Sequence, residues 1–416
     1  MGLDFETRAV HGGLHPERSA GATVTPIYAT GAFEFADAEA LEDAFAGRSG
    51  AHIYSRISNP TVASFEERLC GLEQGLGAVA TSSGMAAVLS TVLALAGAGD
   101  VVAVSRSLFS GTLVLFDSVL PRLGIRPAFF SVDDELELQT ALAESPRLVF
   151  VEAIGNPCLD VPDVPALAAR AHAAGVPVVL DATLTTPWLA TGKSLGADIV
   201  VHSTTKYITG GGTAIGGAIV DTGQFGWGAL TFEPIAEAAK KYGGRFAFLA
   251  TLRKTVLQNT GACASPFSAF LQSGGLETLA LRMERHCANA LALARALEAR
   301  GDGTVVNYPG LPGSPWHATA RKLYGERYGG LLTIKVGTRD RAFEVINRLS
   351  LAKNLANLGD ARTLVVHPAS TMYRDCTAEQ REHAGVSDDL IRISAGIESA
   401  RDIVADFRVA LDRAAE

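Results

Sequence analysis

The chain has 416 residues and a formal net charge of −8, with 48% hydrophobic and 19% charged residues. This composition permits a large buried core in two or three domains and excludes an intrinsically disordered protein. The negative charge, without any Lys/Arg-rich block, argues against a nucleic-acid partner and against binding to an anionic membrane surface.

The apolar stretches and the cysteines indicate the compartment. The N-terminal segment has acidic residues and no apolar run of the kind that a secretory signal needs. The longest apolar stretch, 86–99, is too short to span a bilayer. The five cysteines are scattered without CxxC spacing, which gives no support to a metal site or a disulfide framework. We therefore expect a soluble cytoplasmic protein without a bound metal.

The first 60 residues are irregular. They are rich in Gly, Thr and Pro, and they contain one segment with helical spacing, 36–47. We interpret residues 1–60 as an N-terminal arm that packs against something other than its own core.

Residues 61–257 alternate short apolar runs with helical patterns. The runs that predict strands are 77–81, 100–105, 125–131, 147–153, 176–182 and 197–203. Strands that are apolar on both faces and separated by helices indicate a parallel sheet covered on both sides. This segment is therefore predicted to be an α/β domain.

The pattern changes at about residue 258. A long helical stretch, 266–301, is followed by two alternating segments, 329–336 and 363–368, and by a last helix over 399–415. Residues 258–416 are predicted to form a smaller α+β domain.

Ligands of open α/β sheets bind at the carboxyl ends of the strands, where this sequence has many polar residues. They are Ser82, Ser83 and Gly84 before Met85, then Glu152, Asn156, Asp181, Thr183, Ser203, Thr205 and Lys206. Asp181 has three interpretations: a metal carboxylate, a structural residue, or the partner of a ring cation. A nucleotide-hydrolysing site is excluded because Lys206 precedes its glycines and no GxxxxGK[ST] or GxGxxG motif is present.

The remaining combination has the chemistry of a pyridoxal 5′-phosphate site. A helix N-terminus opened by SSGM (82–85) offers N–H groups to a phosphate, and hydroxyls at Ser203 and Thr205 can add hydrogen bonds. Asp181 can keep a pyridine nitrogen protonated. Lys206 can form a Schiff base with an aldehyde if its pKa is lowered. The partners expected are therefore this cofactor and small-molecule substrates.

Seven sequence blocks, in order, resemble the Cys/Met metabolism pyridoxal-phosphate enzymes of the cystathionine γ-synthase type. The blocks are YSRISNPT (54–61), SSGMAA (82–87), EAIGNP (152–157), VVLDAT (178–183), ADIVVHSTTKY (197–207), GDARTLVVHPAST (359–371) and DLIRISAGIE (389–398). The resemblance covers nearly the whole chain. It implies an aspartate-aminotransferase-like fold (PLP fold type I), with a mainly parallel seven-stranded sheet in the large domain and a smaller C-terminal α+β domain.

The resemblance also implies roles for individual residues. The cofactor would be held by Lys206, Asp181, Gly84, Met85, Phe109, Thr183, Ser203 and Thr205, and by Tyr54 and Arg56 of a neighbouring subunit. The substrate would be held by Arg392, Asn156 and Asn357. Lys206, Asp181 and Tyr54 would be catalytic. Sharing of the arm implies a homo-oligomer, expected to be a homotetramer built from two dimers that share active sites.

Within the family, the chain is most similar to the O-acetylhomoserine sulfhydrylases. This implies γ-replacement on an O-acylhomoserine, above all O-acetyl-L-homoserine, with sulfide or a thiol, giving homocysteine or methionine. The alternatives are an O-succinylhomoserine sulfhydrylase or cystathionine γ-synthase, a methionine γ-lyase, and a homologue without activity. The residues that depart from the family pattern are Phe109 for Tyr, Gly111 for the Cys of γ-lyases, Ala182 for Asn, Gly211 for His and Tyr373 for His.

Overall fold

The computed structural model describes residues 3–414 and contains two sheets. The larger sheet has seven strands: β1 (Gly77–Thr81), β2 (Val101–Ser105), β3 (Arg126–Phe130), β4 (Val149–Glu152), β5 (Val178–Asp181), β6 (Ile199–His202) and β7 (Gly217–Asp221). Their order is β1-β7-β6-β5-β4-β2-β3. β7 is antiparallel to both of its neighbours, and the other pairs are parallel. The predicted α/β fold with a mainly parallel sheet is confirmed.

The six apolar runs correspond to β1–β6, and the strand outside those runs is β7. It follows β6 without a helical crossover, which is why it can only pair antiparallel with that strand. Its first residue, Gly217, lies so close to the Ser83 carbonyl that a Cβ there would overlap it. Gly217 therefore permits the close approach of β7 to the helix that begins at Gly84.

The helices cover both faces of the larger sheet and one face of the smaller one. The α-helices are α1 (Phe5–His11), α2 (Ala38–Ala46), α3 (Pro60–Glu73), α4 (Gly84–Leu95), α5 (Ser110–Val114), α6 (Glu135–Ala143), α7 (Val164–Ala173), α8 (Thr186–Leu189), α9 (Glu233–Tyr242), α10 (Ala247–Ala250), α11 (Gln258–Thr260), α12 (Pro266–Glu277), α13 (Leu279–Glu298), α14 (His317–Tyr324), α15 (Arg339–Arg348), α16 (Ala378–His383) and α17 (Ala400–Arg413). Buried residues of α3 and α7 pack on one face of the larger sheet, and those of α4 pack on the other. No helix within residues 3–414 is long and apolar enough to cross a membrane.

The smaller sheet has five strands. They are β8 (Val305–Asn307), β9 (Leu331–Lys335), β10 (Lys353–Asn354), β11 (Leu364–Val366) and β12 (Leu390–Ser394), in the order β10-β11-β12-β9-β8. All pairs are antiparallel except β10 with β11. The two alternating segments of the sequence are β9 and β11. The central strand, β12, is buried at every residue and contains Arg392.

The N-terminal region has two parts. The first, with helix α1, packs on α3 of the same chain, where Arg68 Nε donates to the Gly12 carbonyl at 2.7 Å. The second runs through α2 to about residue 57, and its large side chains Leu41, Phe45 and Tyr54 are exposed. Helix α1 was not expected from the sequence, because seven residues are too few to show a clear helical period.

Candidate active site

A cavity of about 400 Å³ lies where the larger sheet meets the smaller domain. Its walls come from the carboxyl ends of β4, β5 and β6, the first turn of α4, and the segments around Asn357, Met372 and Arg392. The lining residues that the sequence predicted are Gly84, Met85, Phe109, Asn156, Asp181, Thr183, Ser203, Thr205, Lys206, Asn357 and Arg392. The topology therefore brings together residues as far apart in the chain as Gly84 and Arg392.

Lys206 lies in the turn that follows β6, with its side chain in the cavity. Its Nζ donates to Asn357 Oδ1 at 2.7 Å. Burial, and then the positive charge of Arg392, lower the pKa of Lys206 from 10.5 to about 8. Both causes disfavour the ammonium form, so a much larger fraction of this amine is unprotonated near neutral pH than for an ordinary lysine. Such an amine can act as a nucleophile and as a base.

Asp181 ends β5 and lies beside Glu152, the last residue of β4. Its Oδ1 accepts a hydrogen bond from the Thr183 N–H at 2.9 Å. Thr183 Oγ1 in turn accepts from the Ser203 N–H at 2.8 Å, which ties the ends of β5 and β6 together. Burial raises the pKa of Asp181, with hydrogen bonds from Thr183 opposing the shift. A cationic N–H next to this carboxyl would favour its ionised form.

The first turn of α4 forms a cradle for an anion. Ser83 caps the helix by accepting from the Ala86 N–H at 3.1 Å, and the earliest N–H groups of a helix have no partner inside it. Gly84 packs directly on Ser203, so a Cβ at position 84 would lie 2.7 Å from the Ser203 Cβ. Only glycine lets the helix N-terminus and the Ser203 hydroxyl meet. Thr205 Oγ1 exchanges 3.1 Å hydrogen bonds with the backbone of Gly216 beside this cradle.

Arg392 is a buried cation, 2% exposed. Its Nη1 donates to Asn156 Oδ1 at 3.1 Å, and its Nη2 donates to the Asn357 carbonyl at 2.8 Å. No carboxylate pairs with it in residues 3–414, and its buried Nε has no hydrogen-bond partner there. A buried guanidinium without a counter-charge is costly, and a carboxylate from a ligand would relieve that cost.

Phe109 lies at the start of α5, and its ring touches Gly111. A Cβ at position 111 would lie 2.8 Å from Phe109 Cε1 and 3.5 Å from Met85 Sδ. The two departures from the family pattern are therefore coupled, because a cysteine at 111 would displace the Phe109 ring. No hydroxyl is present at position 109 to donate a proton.

Tyr54 and Arg56 do not reach the cavity of their own chain. Tyr54 is 45% exposed, and the Arg56 guanidinium lies over its ring at 5.5 Å from the centroid. Arg56 also donates to the Gln258 carbonyl. Their expected role at the phosphate of a neighbouring subunit stays a prediction.

The cavity also contains residues to which the sequence assigned no role. Glu152 was visible as a strand-end carboxylate, and its carboxyl contacts the loops that carry Phe109 and Asn156. Met372 lines the cavity with its Sδ 3.5 Å from Arg392 Nη1. Nothing in the sequence pattern around Met372 marks it as a cavity residue.

The residues present fit pyridoxal phosphate. An amine with a lowered pKa, a buried carboxyl, a glycine-based anion cradle and an aromatic ring all face one cavity large enough for a small ligand. An α/β domain with this arrangement at its strand ends is typical of the pyridoxal-phosphate enzymes of the aspartate-aminotransferase fold.

The chain belongs to the Cys/Met metabolism PLP-dependent enzyme family, whose model matches residues 6–412. It is 42% identical to the homocysteine synthase of Schizosaccharomyces pombe, over 98% of each chain. It is 41% identical to the O-acetyl-L-homoserine sulfhydrylase of Corynebacterium glutamicum, over 97% of this chain and 95% of the relative. A Campylobacter jejuni structure, assigned as an O-acetylhomoserine (thiol)-lyase and containing N′-pyridoxyl-lysine-5′-monophosphate, has a TM-score of 0.92 at 30% identity, over 99% of this chain and all of that one.

Proposed function

We propose that the protein catalyses γ-replacement on O-acetyl-L-homoserine, with sulfide or a small thiol as the nucleophile, giving L-homocysteine or methionine. The relatives named homocysteine synthase and O-acetyl-L-homoserine sulfhydrylase support this reaction. The preference for an uncharged acyl group and a small nucleophile is supported by the few positive charges in the cavity wall.

The main support for this function is that, within residues 3–414, two cationic side chains line the cavity, Lys206 and Arg392. Lys206 is needed by the cofactor and Arg392 by the substrate α-carboxylate. Most of the other lining residues to which the sequence assigned no role are apolar, among them Val88, Ile154, Leu184, Ile215, Leu358 and Met372. A succinyl or phosphoryl group, or the carboxylate of cysteine as nucleophile, would bring a further negative charge, and within residues 3–414 no other cationic side chain lines the cavity to pair it.

Each residue then has a chemical task. Bound pyridoxal phosphate supplies an electron sink for the carbanions of the reaction. With the cofactor bound, the Lys206 amine would take the proton from the substrate Cα and later exchange protons at Cβ. Asp181 would hold a proton at the pyridine nitrogen. Arg392 and Asn156 orient the substrate through its carboxylate.

The leaving group fits Phe109. An acetate leaves with its charge stabilised and needs little help from an acid, whereas a thiolate depends more on a proton donor. A phenylalanine at this position is therefore suited to an ester and poorly suited to the thioether of methionine.

We also propose a cytoplasmic homotetramer of two dimers in which Tyr54 and Arg56 bind the cofactor phosphate of the partner chain. Support comes from the exposed side chains of the arm, which leave the anion cradle of their own chain without these two residues.

The test measures steady-state rates with acetyl-, succinyl- and phosphohomoserine, with and without sulfide. We expect kcat/KM for the acetyl ester to exceed that for the other two by at least tenfold, with homocysteine as the product. Faster turnover of the succinyl ester with cysteine would establish the cystathionine synthase alternative instead. Release of 2-oxobutyrate from methionine at a comparable rate would establish the γ-lyase.

A further inference from the structure

Two buried side chains outside the expected machinery hold the Phe109 and Asn156 segments together. Glu152 Oε1 accepts from the Phe109 N–H at 2.7 Å, and Glu152 Oε2 accepts from the Asn156 N–H at 3.1 Å. The Tyr373 hydroxyl lies 2.8 Å from the Leu108 carbonyl and 2.9 Å from the Asn156 carbonyl, as the donor to both. Glu152 is 6% exposed and Tyr373 is fully buried.

These contacts have a simple geometry. The Leu108 carbonyl and the Phe109 N–H belong to one peptide group, which is held on its N–H side by Glu152 and on its carbonyl side by Tyr373. Asn156 is held in the same way, through its own N–H and its own carbonyl. Neither loop can shift without breaking contacts to both side chains, and a buried polar group that loses its partner is costly.

These four hydrogen bonds of Glu152 and Tyr373, which we call the clamp, connect two parts of the cavity wall. Phe109 carries the ring expected to lie against the cofactor, and Asn156 Oδ1 contacts Arg392 at 3.1 Å, where the substrate carboxylate is expected. We propose that Glu152 and Tyr373 are positioning residues that fix the cofactor-stacking ring relative to the carboxylate site. The proposal rests on the roles given to Phe109 and Asn156 in the proposed function.

The clamp also accounts for Tyr373, one of the departures from the family pattern. The neighbouring residue Met372 contacts Arg392. The ring of Tyr373 packs with Ala369, Ala384, Val386 and Leu390 of the smaller domain, and its hydroxyl contacts loops of the larger domain. Tyr373 therefore links the smaller domain to the larger one beside the cavity.

The experiment compares Tyr373→Phe with Tyr308→Phe. Tyr308 is a matched control because it is fully buried and its hydroxyl donates to a backbone carbonyl, that of Gly329 at 2.8 Å, away from the cavity. The readouts are the visible circular dichroism of the bound cofactor without substrate, the KM and kcat for O-acetylhomoserine, and the thermal unfolding midpoint.

We expect Tyr373→Phe to lower the cofactor dichroism at least twofold and to raise KM at least fivefold, with kcat falling less than KM rises. Tyr308→Phe should shift the unfolding midpoint without changing dichroism or KM. If Tyr373→Phe does not fold, Glu152→Gln, which replaces one acceptor oxygen by an N–H donor, should give the same dichroism loss. Dichroism and KM equal to wild type in the folded Tyr373 or Glu152 variant would overturn the proposal.

Failure of the proposed function would look different. If the wild type consumes no O-acylhomoserine, the function is wrong, and the dichroism measured without substrate still decides whether the clamp positions the cofactor.

Discussion

The cavity and the second part of the N-terminal arm, which runs through α2 to about residue 57, differ in how many contacts their polar side chains make within their own chain. In the cavity, residues from both domains satisfy one another, as in the contacts of Lys206 with Asn357 and of Arg392 with Asn156. In the arm, Tyr54 is exposed and Arg56 contacts a single backbone carbonyl and the Tyr54 ring.

One chain therefore forms the walls of the cavity by itself, and we propose that its exposed arm completes the cavity of a partner chain. The strand ends of a parallel sheet meet by topology alone, so their side chains converge within one subunit. The arm has no such constraint, because it lies outside the sheet. Each of the following changes tests one side of this comparison.

The largest effect is expected inside the cavity, from Lys206→Ala. Turnover should fall by roughly 10²- to 10⁴-fold, the usual cost of losing a positioned proton-transfer group, and covalent attachment of the cofactor should be lost. Steady-state assays measure the first effect. Lys193→Ala is the control, because Lys193 is an exposed lysine that contacts only the Gln74 carbonyl. Wild-type activity in Lys206→Ala would rule out its role as nucleophile and base.

The next largest effect is expected from Asp181→Asn, compared with the same substitution at Asp198, another buried carboxylate. Asp181 lies at the cavity end, whereas Asp198 lies at the opposite end, where it accepts from His172 Nε2 at 2.7 Å and from the Val178 N–H at 2.8 Å. Asp181→Asn should lower kcat by about 10²-fold or more with little change in stability, because the electron sink fails. Asp198→Asn should cost about 1–3 kcal/mol in free energy of unfolding and leave kcat unchanged.

Steady-state kinetics measure kcat of both variants, and chemical denaturation measures their free energies of unfolding. The assignment of Asp181 would be contradicted if its variant lost stability and cofactor affinity together while the bound fraction kept wild-type kcat.

The arm is tested by subunit complementation. Arg56→Ala chains and Lys206→Ala chains should each be weakly active. A 1:1 mixture should regain up to about a quarter of the wild-type activity, because roughly half of its dimers are hybrids and one of the two sites in each hybrid is intact. Assays after mixing, with hybrid formation checked by native mass spectrometry, measure this. Hybrids that form without any gain in activity would place Arg56 at a site within its own chain.

The smallest effect is expected from Phe109→Tyr. The added hydroxyl supplies an acid that an acetate leaving group does not need, so kcat/KM for O-acetylhomoserine should change less than about threefold. Release of 2-oxobutyrate from methionine should rise. A wild type that already cleaves methionine as fast as it consumes the ester would show that the leaving-group argument is wrong.

Much of the fold and most of the cavity were predictable, for physical reasons that differ by element. β1, β2, β4, β5 and β6 are buried at every residue or at all but one, and they appear in the sequence as apolar runs, whereas the edge strand β3 is partly exposed. The polar residues that follow the strands converge because the strands run parallel. β7 was not predicted because it follows a glycine-rich loop and has no helix before it.

The smaller strands β8 and β10 have two or three residues, too few to show alternation. The clamp at Tyr373 was not predictable either. The Tyr373 hydroxyl contacts Leu108, which is 265 positions away in the chain, and Asn156, which is 217 positions away. Local sequence patterns do not indicate contacts at such separations.

Attachment of the cofactor to Lys206 can be measured directly. The purified protein is reduced with borohydride, digested, and mapped by mass spectrometry for the phosphopyridoxyl group. The account predicts one modified peptide, with the group on Lys206, and no such peptide from the Lys206→Ala variant. A phosphopyridoxyl group on another lysine, or an unmodified Lys206 in a protein that retains activity, would contradict the account.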